Sequence, residues 1–366
     1  MGSAALAHCA ARGLRAVGVE RFSPAHARGA SHGRTRIIRQ AYFEDPSYVP
    51  LLRRAYVLWD ALEERTGAHL RARTGGLFAG KPAGAVVAGT LASAREYGLQ
   101  HDVLDPADLR RRFPQFRLRD DEVAVYEAVA GALFPEECVR AQIAVAVDDG
   151  AEARFGVRAT AWRVSGRDRV EVDAGGETLV ARRLVIAAGA WLGELARELT
   201  LPLWVERNVA VWFEPLVAAA VSPGVLPIFA LEREGLPFMF YGFPDFGDGV
   251  KSAFHHSGVA FDPESVDRPV AAAEVDGARA ALAGWLPDAA GRALQSSVCT
   301  YAMTPDEHFV IGLHPAHAEV AIAGGFSGHG FKFAPVVGEM LANLVERGEA
   351  GHDARLFAPG RFAKAP

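Results

Sequence analysis

The chain has 366 residues, 50% hydrophobic and 23% charged, enough apolar material for one large α/β unit or two interleaved domains. With 39 basic against 44 acidic side chains the net charge is −5, and without a long basic run nucleic acid is excluded as an expected partner. No apolar run nears the roughly 20 residues of a membrane span, no basic-then-apolar leader opens the chain, and 3 cysteines are too few for a disulfide framework, so a cytoplasmic protein is expected.

Residues 3–12 are rich in alanine and leucine and stop at Gly13, which predicts a helix. Residues 14–19 predict a short strand ending at Glu20. Helix, glycine, strand and acid make the second half of a dinucleotide-binding βαβ unit, in which the acid accepts a ribose hydroxyl. The first half, a strand and a G-x-G, is missing from the sequence, and Gly2 matches only the last glycine of that fingerprint.

The segment 28–39 reads as a glycine-punctuated loop with Arg28, Arg34, Arg36 and Arg39. Arg28 and Arg34 read as solvated. Ile37 and Ile38 anchor Arg36 and Arg39 in apolar surroundings, where an arginine needs an anion: a carboxylate, a phosphate or an anionic flavin. Residues 48–65 predict an amphipathic helix with Leu51, Leu52, Ala55, Trp59 and Leu62 as its core stripe. Helices over 86–98 and 106–113 follow, then strand-like sequence over 123–133. Pro135, Glu136 and Glu137 open a helix reaching 146, with Cys138 as a small core residue.

Between 153 and 188 the pattern predicts strands at 153–157, 159–164, 170–174 and 179–188. The last runs into the apolar stretch 184–191, as a strand buried on both faces of a parallel sheet would. Residues 204–256 are strand-rich, with strands at 209–213, 238–241 and 250–254. Alternation over 251–255 puts Lys251, Ala253 and His255 on one face. A helix is predicted over 272–285, and over 296–313 two strands flank a turn at Thr304, Pro305 and Asp306. Cys299 taken alone reads as a buried thiol, and His308, His314 and His317 lack the spacing of a zinc site.

The densest motif comes last. An apolar strand at 320–323 leads into Gly324-Gly325-Phe326-Ser327-Gly328-His329-Gly330-Phe331-Lys332, and a helix follows with Val336, Val337, Met340, Leu341 and Leu344 at helical spacing. Glycines allow close approach of backbone to a ligand, and a helix start offers N–H groups to an anion.

Taken in order, several stretches resemble the monomeric sarcosine oxidase and N-methyltryptophan oxidase family of flavoprotein amine oxidases: Ser31 to Arg39, Tyr241-Gly242-Phe243-Pro244 with Lys251 and His255, Val298 to Tyr301 with Pro305 to Phe309, and Gly325 to Lys332. The resemblance implies an α/β (α+β) fold, in which a Rossmann-like FAD-binding domain of the glutathione-reductase type (1–68, 135–203 and 301–366) is interleaved with a mixed-sheet catalytic domain (69–134 and 204–300). It implies FAD joined through a thioether to Cys299, Arg36 against the flavin ring and Lys251 near flavin N5. It also implies that Arg39 and Lys332 bind a substrate carboxylate, that Tyr241 and His255 line the amine pocket, and that Gly2 and Glu20 hold the pyrophosphate and ribose. His32, Gly325, Ser327, Gly328 and Gly330 join Lys332 as cofactor contacts.

The implied reaction oxidises a secondary amine such as sarcosine to an imine and reduces dioxygen to hydrogen peroxide, in a monomer. Two other readings stay open: an FAD oxidase of the same fold acting on a cyclic imino acid or secondary-metabolite amine, and a truncated, non-catalytic flavin-binding remnant. The family's first strand and G-x-G are absent, which suggests a start placed too late; Ser31 and Arg34 stand where relatives often carry histidine and aspartate.

Overall fold

The computed structural model describes residues 1–265 and 268–362. Parallel pairing occurs in two small sheets. Val17–Glu20 pairs with Glu152–Phe155, and Leu184–Ile186 pairs with His317–Gly324, whose other edge takes Val310–His314 antiparallel. Helices Gly2–Ala11, Pro135–Asp148 and Ala334–Arg347 pack together beside them. The close crossing of the first and last requires Gly338, because a Cβ there would lie 2.5 Å from the Ala4 carbonyl carbon. Trp59, Tyr42, Tyr48, Phe309 and Phe333, all fully buried, fill the core between helix Val49–Thr66 and this layer.

The second layer is an eight-stranded mixed sheet. In spatial order its strands are Ala293–Met303, Trp204–Phe213, Val250–Phe254, Phe240–Gly242, Ile228–Leu231, Gly76–Gly80, Val123–Glu127 and Asp102–Leu104. Period-two alternation sends Val209, Val211 and Phe213 to one face, where helix Ala272–Trp285 covers them with Leu282 and Trp285. Ala210 and Trp212 face the other way and pack with Ala253 and Tyr241. That second face looks toward the arginine segment.

Several elements differ from expectation. The predicted strand 179–188 is two strands in different sheets: Glu177–Ala181 pairs antiparallel with Arg169–Ala174, while Leu184–Ile186 joins the parallel sheet. Exposed Arg182 and Arg183 make the break, and Leu184 and Val185 are half-buried rather than enclosed on both faces. The arginine loop contains a short strand, Arg36–Ile38, paired with Gly131–Leu133. The fully buried strands Gly76–Gly80 and Ile228–Leu231 were not foreseen. Strand Ala293–Met303 runs through the expected domain boundary at 300/301, so that boundary cuts one hydrogen-bonded element.

Among the described residues no helix is long and apolar enough to cross a membrane, and no cluster of His, Cys, Asp and Glu is placed to hold a metal. The His314 and His317 rings lie tilted with centroids 4.7 Å apart, whereas His308 meets the Tyr48 hydroxyl at 3.1 Å.

Candidate active site

The site is laid out by strand register. Strands Trp204–Phe213 and Ala293–Met303 pair antiparallel with Asn208 opposite Cys299 and Ala210 opposite Ser297. On the other side Ala210 pairs with Ala253 and Trp212 with Lys251. Ala253 in turn pairs with Tyr241. Cys299, Asn208, Tyr241 and Lys251 therefore project from one sheet face, with His255 just beyond the strand end, and the expectation that Lys251 and Ala253 share a face is met.

The arginine segment lies over this face. Gly33 takes φ of +88°, open to glycine at low cost, and its carbonyl accepts from Lys251 Nζ at 2.7 Å. Lys251 also donates to the Thr35 carbonyl at 2.8 Å and sits 4.9 Å from the Phe243 ring centroid. Its pKa is pulled well below the usual lysine value, first by burial and then by the Arg36 charge. Glu136, at the start of its helix, accepts from Gly33 N at 2.7 Å and Arg34 N at 3.2 Å and so fixes the segment.

Arg36 donates to the carbonyls of Thr35 (2.8 Å) and Ala30 (2.7 Å), and its Nη2 lies 3.4 Å from Cys299 Sγ. It has no carboxylate partner among the described residues. His32 is buried with Nε2 unpartnered, and burial, followed by Arg36 and Lys251, lowers its pKa to about 3, so it is neutral in all ordinary conditions. His32, Gly33, Arg36, Asn208, Tyr241, Lys251 and Cys299 line one small cavity of about 10 Å³.

Tyr241 and Tyr301 bring their hydroxyls to 3.4 Å, and the His255 ring lies 5.6 Å from that of Tyr301. Burial, then His256, holds the His255 pKa well below its ordinary value, so it too is neutral. Beyond them, Lys332 is 5% exposed, and among the described residues its ammonium makes one hydrogen bond, to the His329 carbonyl at 2.7 Å. Burial and then Arg39 bring its pKa down to about 7.

Arg39 departs from its expected role. Its guanidinium pairs with Glu44, donates to the Ala41 carbonyl at 2.7 Å and lies 4.0 Å from the Phe43 ring centroid. The anion that a buried arginine requires is thus supplied from five residues along the chain, and Lys332 is the cation with donors to spare. Glu127, fully buried, accepts from the N–H groups of Gln40 and Ala41 and holds this stretch in place.

The glycine turn also differs in its reason. A Cβ on Gly328 would lie 2.3 Å from the Tyr301 ring, one on Gly330 2.5 Å from Phe326, and one on Gly325 2.6 Å from Thr304. These glycines are required by the protein's own packing, and the turn is not an open cradle. Ser327 is fully buried with φ of +45° and accepts the Thr304 N–H at 3.2 Å. Gly2 starts its helix, and Glu20 Oε1 accepts from Phe22 N at 2.9 Å.

Asn208, Glu44, Glu127, Glu136 and Tyr301 were not singled out as site residues by sequence reasoning. Only Asn208 and Tyr301 had a local signal, a polar residue and a tyrosine alternating onto the face of Cys299.

A free cysteine, an arginine without a carboxylate and unpartnered Asn208 and His32 atoms around one cavity suit a planar, polar-edged prosthetic group such as a flavin. Fold and site together define a flavin-dependent oxidoreductase. Comparison with known proteins agrees, because a description of the FAD dependent oxidoreductase family matches residues 1–344. The chain belongs to that family, among the flavin amine oxidases. It is 45% identical to a monomeric sarcosine oxidase of Streptomyces avermitilis, over 100% of this chain and 96% of that protein. It is 32% identical to an N-methyl-L-tryptophan oxidase of Yersinia pestis, over 99% of this chain and 96% of that one. The structure of NikD, described as an unusual amino acid oxidase of nikkomycin biosynthesis, superposes with a TM-score of 0.85 at 23% identity, over 98% of this chain and 94% of that one, which bears on the fold alone.

Proposed function

We propose that this chain binds FAD in the cavity between the arginine segment and the eight-stranded sheet and oxidises an N-methyl amino acid such as sarcosine to its imine, with dioxygen reduced to hydrogen peroxide. The observation that carries this reading is the convergence of Cys299, Arg36, Lys251 and Tyr241 on that cavity, in a chain 45% identical to a sarcosine oxidase. FAD, when bound, supplies the two-electron chemistry at the carbon beside the amine nitrogen. The chain's own residues supply binding, orientation and charge.

In this reading Cys299 holds the flavin through a thioether, and Arg36 places a permanent positive charge against the ring system. Neutral His255 and the paired Tyr241 and Tyr301 hydroxyls wall the amine pocket. Uncharged groups there accept a neutral secondary amine, the form whose nitrogen lone pair drives oxidation. Lys332 takes the substrate carboxylate, and Arg39 assists by packing its guanidinium over the rings of Tyr42 and Phe43 and pairing with Glu44.

Lys251 has a separate task. Its buried amine lies beside the cavity, where charge builds on dioxygen as it is reduced, and it acts there in its protonated form. A cation about 4 Å from that charge is worth ~4 kcal/mol at an effective dielectric near 20, or about a thousandfold in rate.

The same reading assigns 1–68, 135–203 and the C-terminal part from about 301 to FAD binding and 69–134 with 204–300 to the substrate. Gly2 and Glu20 serve the pyrophosphate and ribose, and the chain acts as a monomer in the cytoplasm. A peroxide-release screen over sarcosine, N-methyltryptophan, pipecolate and proline tests the substrate class. Turnover confined to pipecolate or proline replaces an N-methyl substrate by a cyclic one, and no turnover with FAD bound ends the proposal.

A further inference from the structure

Asn208 stands in the middle of the site without a partner. It is 3% exposed, and among the described residues neither Nδ2 nor Oδ1 makes a hydrogen bond. A buried amide left so is less favourable by about 1–3 kcal/mol per group than a bonded one, and native interiors rarely keep such a group without a use for it. Its position is fixed by two registers. Asn208 pairs with Cys299 across the Trp204–Phe213 and Ala293–Met303 strands, and continuing the Ala210–Ala253 register places it beside His255 on the other side. Directly opposed residues have Cβ atoms about 4.5–5.5 Å apart. The carboxamide is therefore a cross-strand neighbour of the Cys299 sulfur, with no hydrogen bond to it in the structure.

The sulfur has a conflict that this amide resolves. Cys299 Sγ now faces the Ala30 carbonyl at 3.9 Å, an acceptor that suits the protonated thiol, and has one donor, Arg36 Nη2, at 3.4 Å. The thiolate is the nucleophile and needs donors in place of that acceptor. An amide N–H from Asn208, which has no partner in the structure, would be a second donor.

We propose that Asn208 is a positioning residue for flavin attachment: its side-chain N–H donates to the Cys299 sulfur as the thiolate forms and aims it at the cofactor. The inference rests on the thioether reading above. In attachment, one C–H of the flavin 8-methyl group and the Cys299 S–H are lost and an S–C bond forms. The two electrons and two protons released leave on dioxygen as hydrogen peroxide, so the step balances with the oxidant that the proposed reaction already uses. Asn208 takes no proton in it. Ser252, Thr300 and Gln142 also carry unpartnered buried atoms but do not line the cavity; His32 does line it, and of these two Asn208 is the one paired across the strands with Cys299.

The test compares wild type with Asn208→Asp and Asn208→Leu, two substitutions of nearly the same volume that remove the donor, and with Asn208→Gln, which keeps it. Protein is purified at successive times after induction and precipitated with acid, and the flavin in the pellet is measured against total FAD per chain. Covalent flavin should accumulate at least about tenfold more slowly in the Asp and Leu variants, the scale of a lost hydrogen bond to a charged sulfur, and near the wild-type rate in the Gln variant. Total FAD per chain should stay near wild type. A yellow wild-type pellet with unchanged accumulation in the Asp or the Leu variant overturns the role of Asn208 alone. A colourless wild-type pellet removes the thioether reading and this inference with it.

Discussion

Lys332 provides the sharpest quantitative prediction, because its environment fixes both the strength and the pH range of carboxylate binding. Burial, then Arg39, brings its pKa from the ordinary 10.5 to about 7 in the free protein, with Glu44 opposing. A ligand carboxylate about 4 Å away gains ~4 kcal/mol at an effective dielectric near 20. At about 1.4 kcal/mol per tenfold, that is roughly a thousandfold in affinity, and it keeps the lysine protonated in the complex to about pH 10. Binding below pH 7 then meets a lysine already charged. Above pH 7 each complex must first take up a proton, so Kd rises about tenfold per pH unit, or about a hundredfold between pH 7 and 9. Lys332→Met should bind propionate about a thousandfold more weakly at pH 6 and show no such slope. Propionate carries a carboxylate and no amine, so only this end of the pocket is read; calorimetric titration at pH 6, 7, 8 and 9 gives the curve. A wild-type Kd that is flat across that range, or a slope surviving in Lys332→Met, refutes the assignment.

The same lysine affects stability with a definite sign. Between about pH 7 and 10.5 the unfolded chain holds a proton that the native lysine has lost, so this group adds stability as pH rises, by up to ~1.4 kcal/mol per pH unit, and adds nothing more above 10.5. Denaturation curves of wild type and Lys332→Met should therefore converge or cross as pH rises through that window. Lys251→Met should slow reoxidation of the reduced flavin by dioxygen about a thousandfold and reduction by the amine far less; stopped-flow measurement of the two half-reactions separates them, and equal losses would count against oxygen activation. Gly328→Ala adds a Cβ 2.3 Å from the Tyr301 ring at φ of +78°, and overpacking of this kind lowers stability by about 1–3 kcal/mol. A lower Tm together with a raised KM is expected, whereas an unchanged Tm would mean the turn has room that the structure denies it. Glu127→Ala leaves the N–H groups of half-buried Gln40 and buried Ala41 without their acceptor, and a loss of about 2–4 kcal/mol should appear in urea denaturation.

Much of this site is visible in the chain as soon as periodicity is applied. Alternation placed Lys251 with Ala253, turn-forming residues located the Thr304–Asp306 turn, and helical spacing drew Ala272–Trp285 at the bounds observed. Family resemblance then joined Cys299 to Arg36, now 3.4 Å apart across a separation of 263 residues. Partnership was harder to read. Nothing local says that the anion for Arg39 is Glu44, that Glu136 reaches back across 103 residues to Gly33, or that Gly328 answers to a tyrosine ring. Those are tertiary facts, decided by which surfaces meet. Asn208 was missed for a related reason: the strand was taken to begin at Val209, and the five residues before it, hydrogen-bonded to Ala293–Met303, carry charge that hides the alternation. The run 179–188 failed the opposite way. Its uninterrupted β-propensity concealed two arginines that end one strand and start another in a different sheet.

The central claim is that this cavity transfers electrons from a secondary amine to dioxygen through bound FAD. One anaerobic experiment tests it most directly: the yellow protein is mixed with excess sarcosine or another N-methyl amino acid accepted in the peroxide screen, the visible flavin absorbance is followed, and air is then admitted. The account predicts bleaching by the amine, recovery in air, and one hydrogen peroxide for each amine consumed. Flavin that stays oxidised with every secondary amine tried, in protein that carries one FAD per chain, would contradict it.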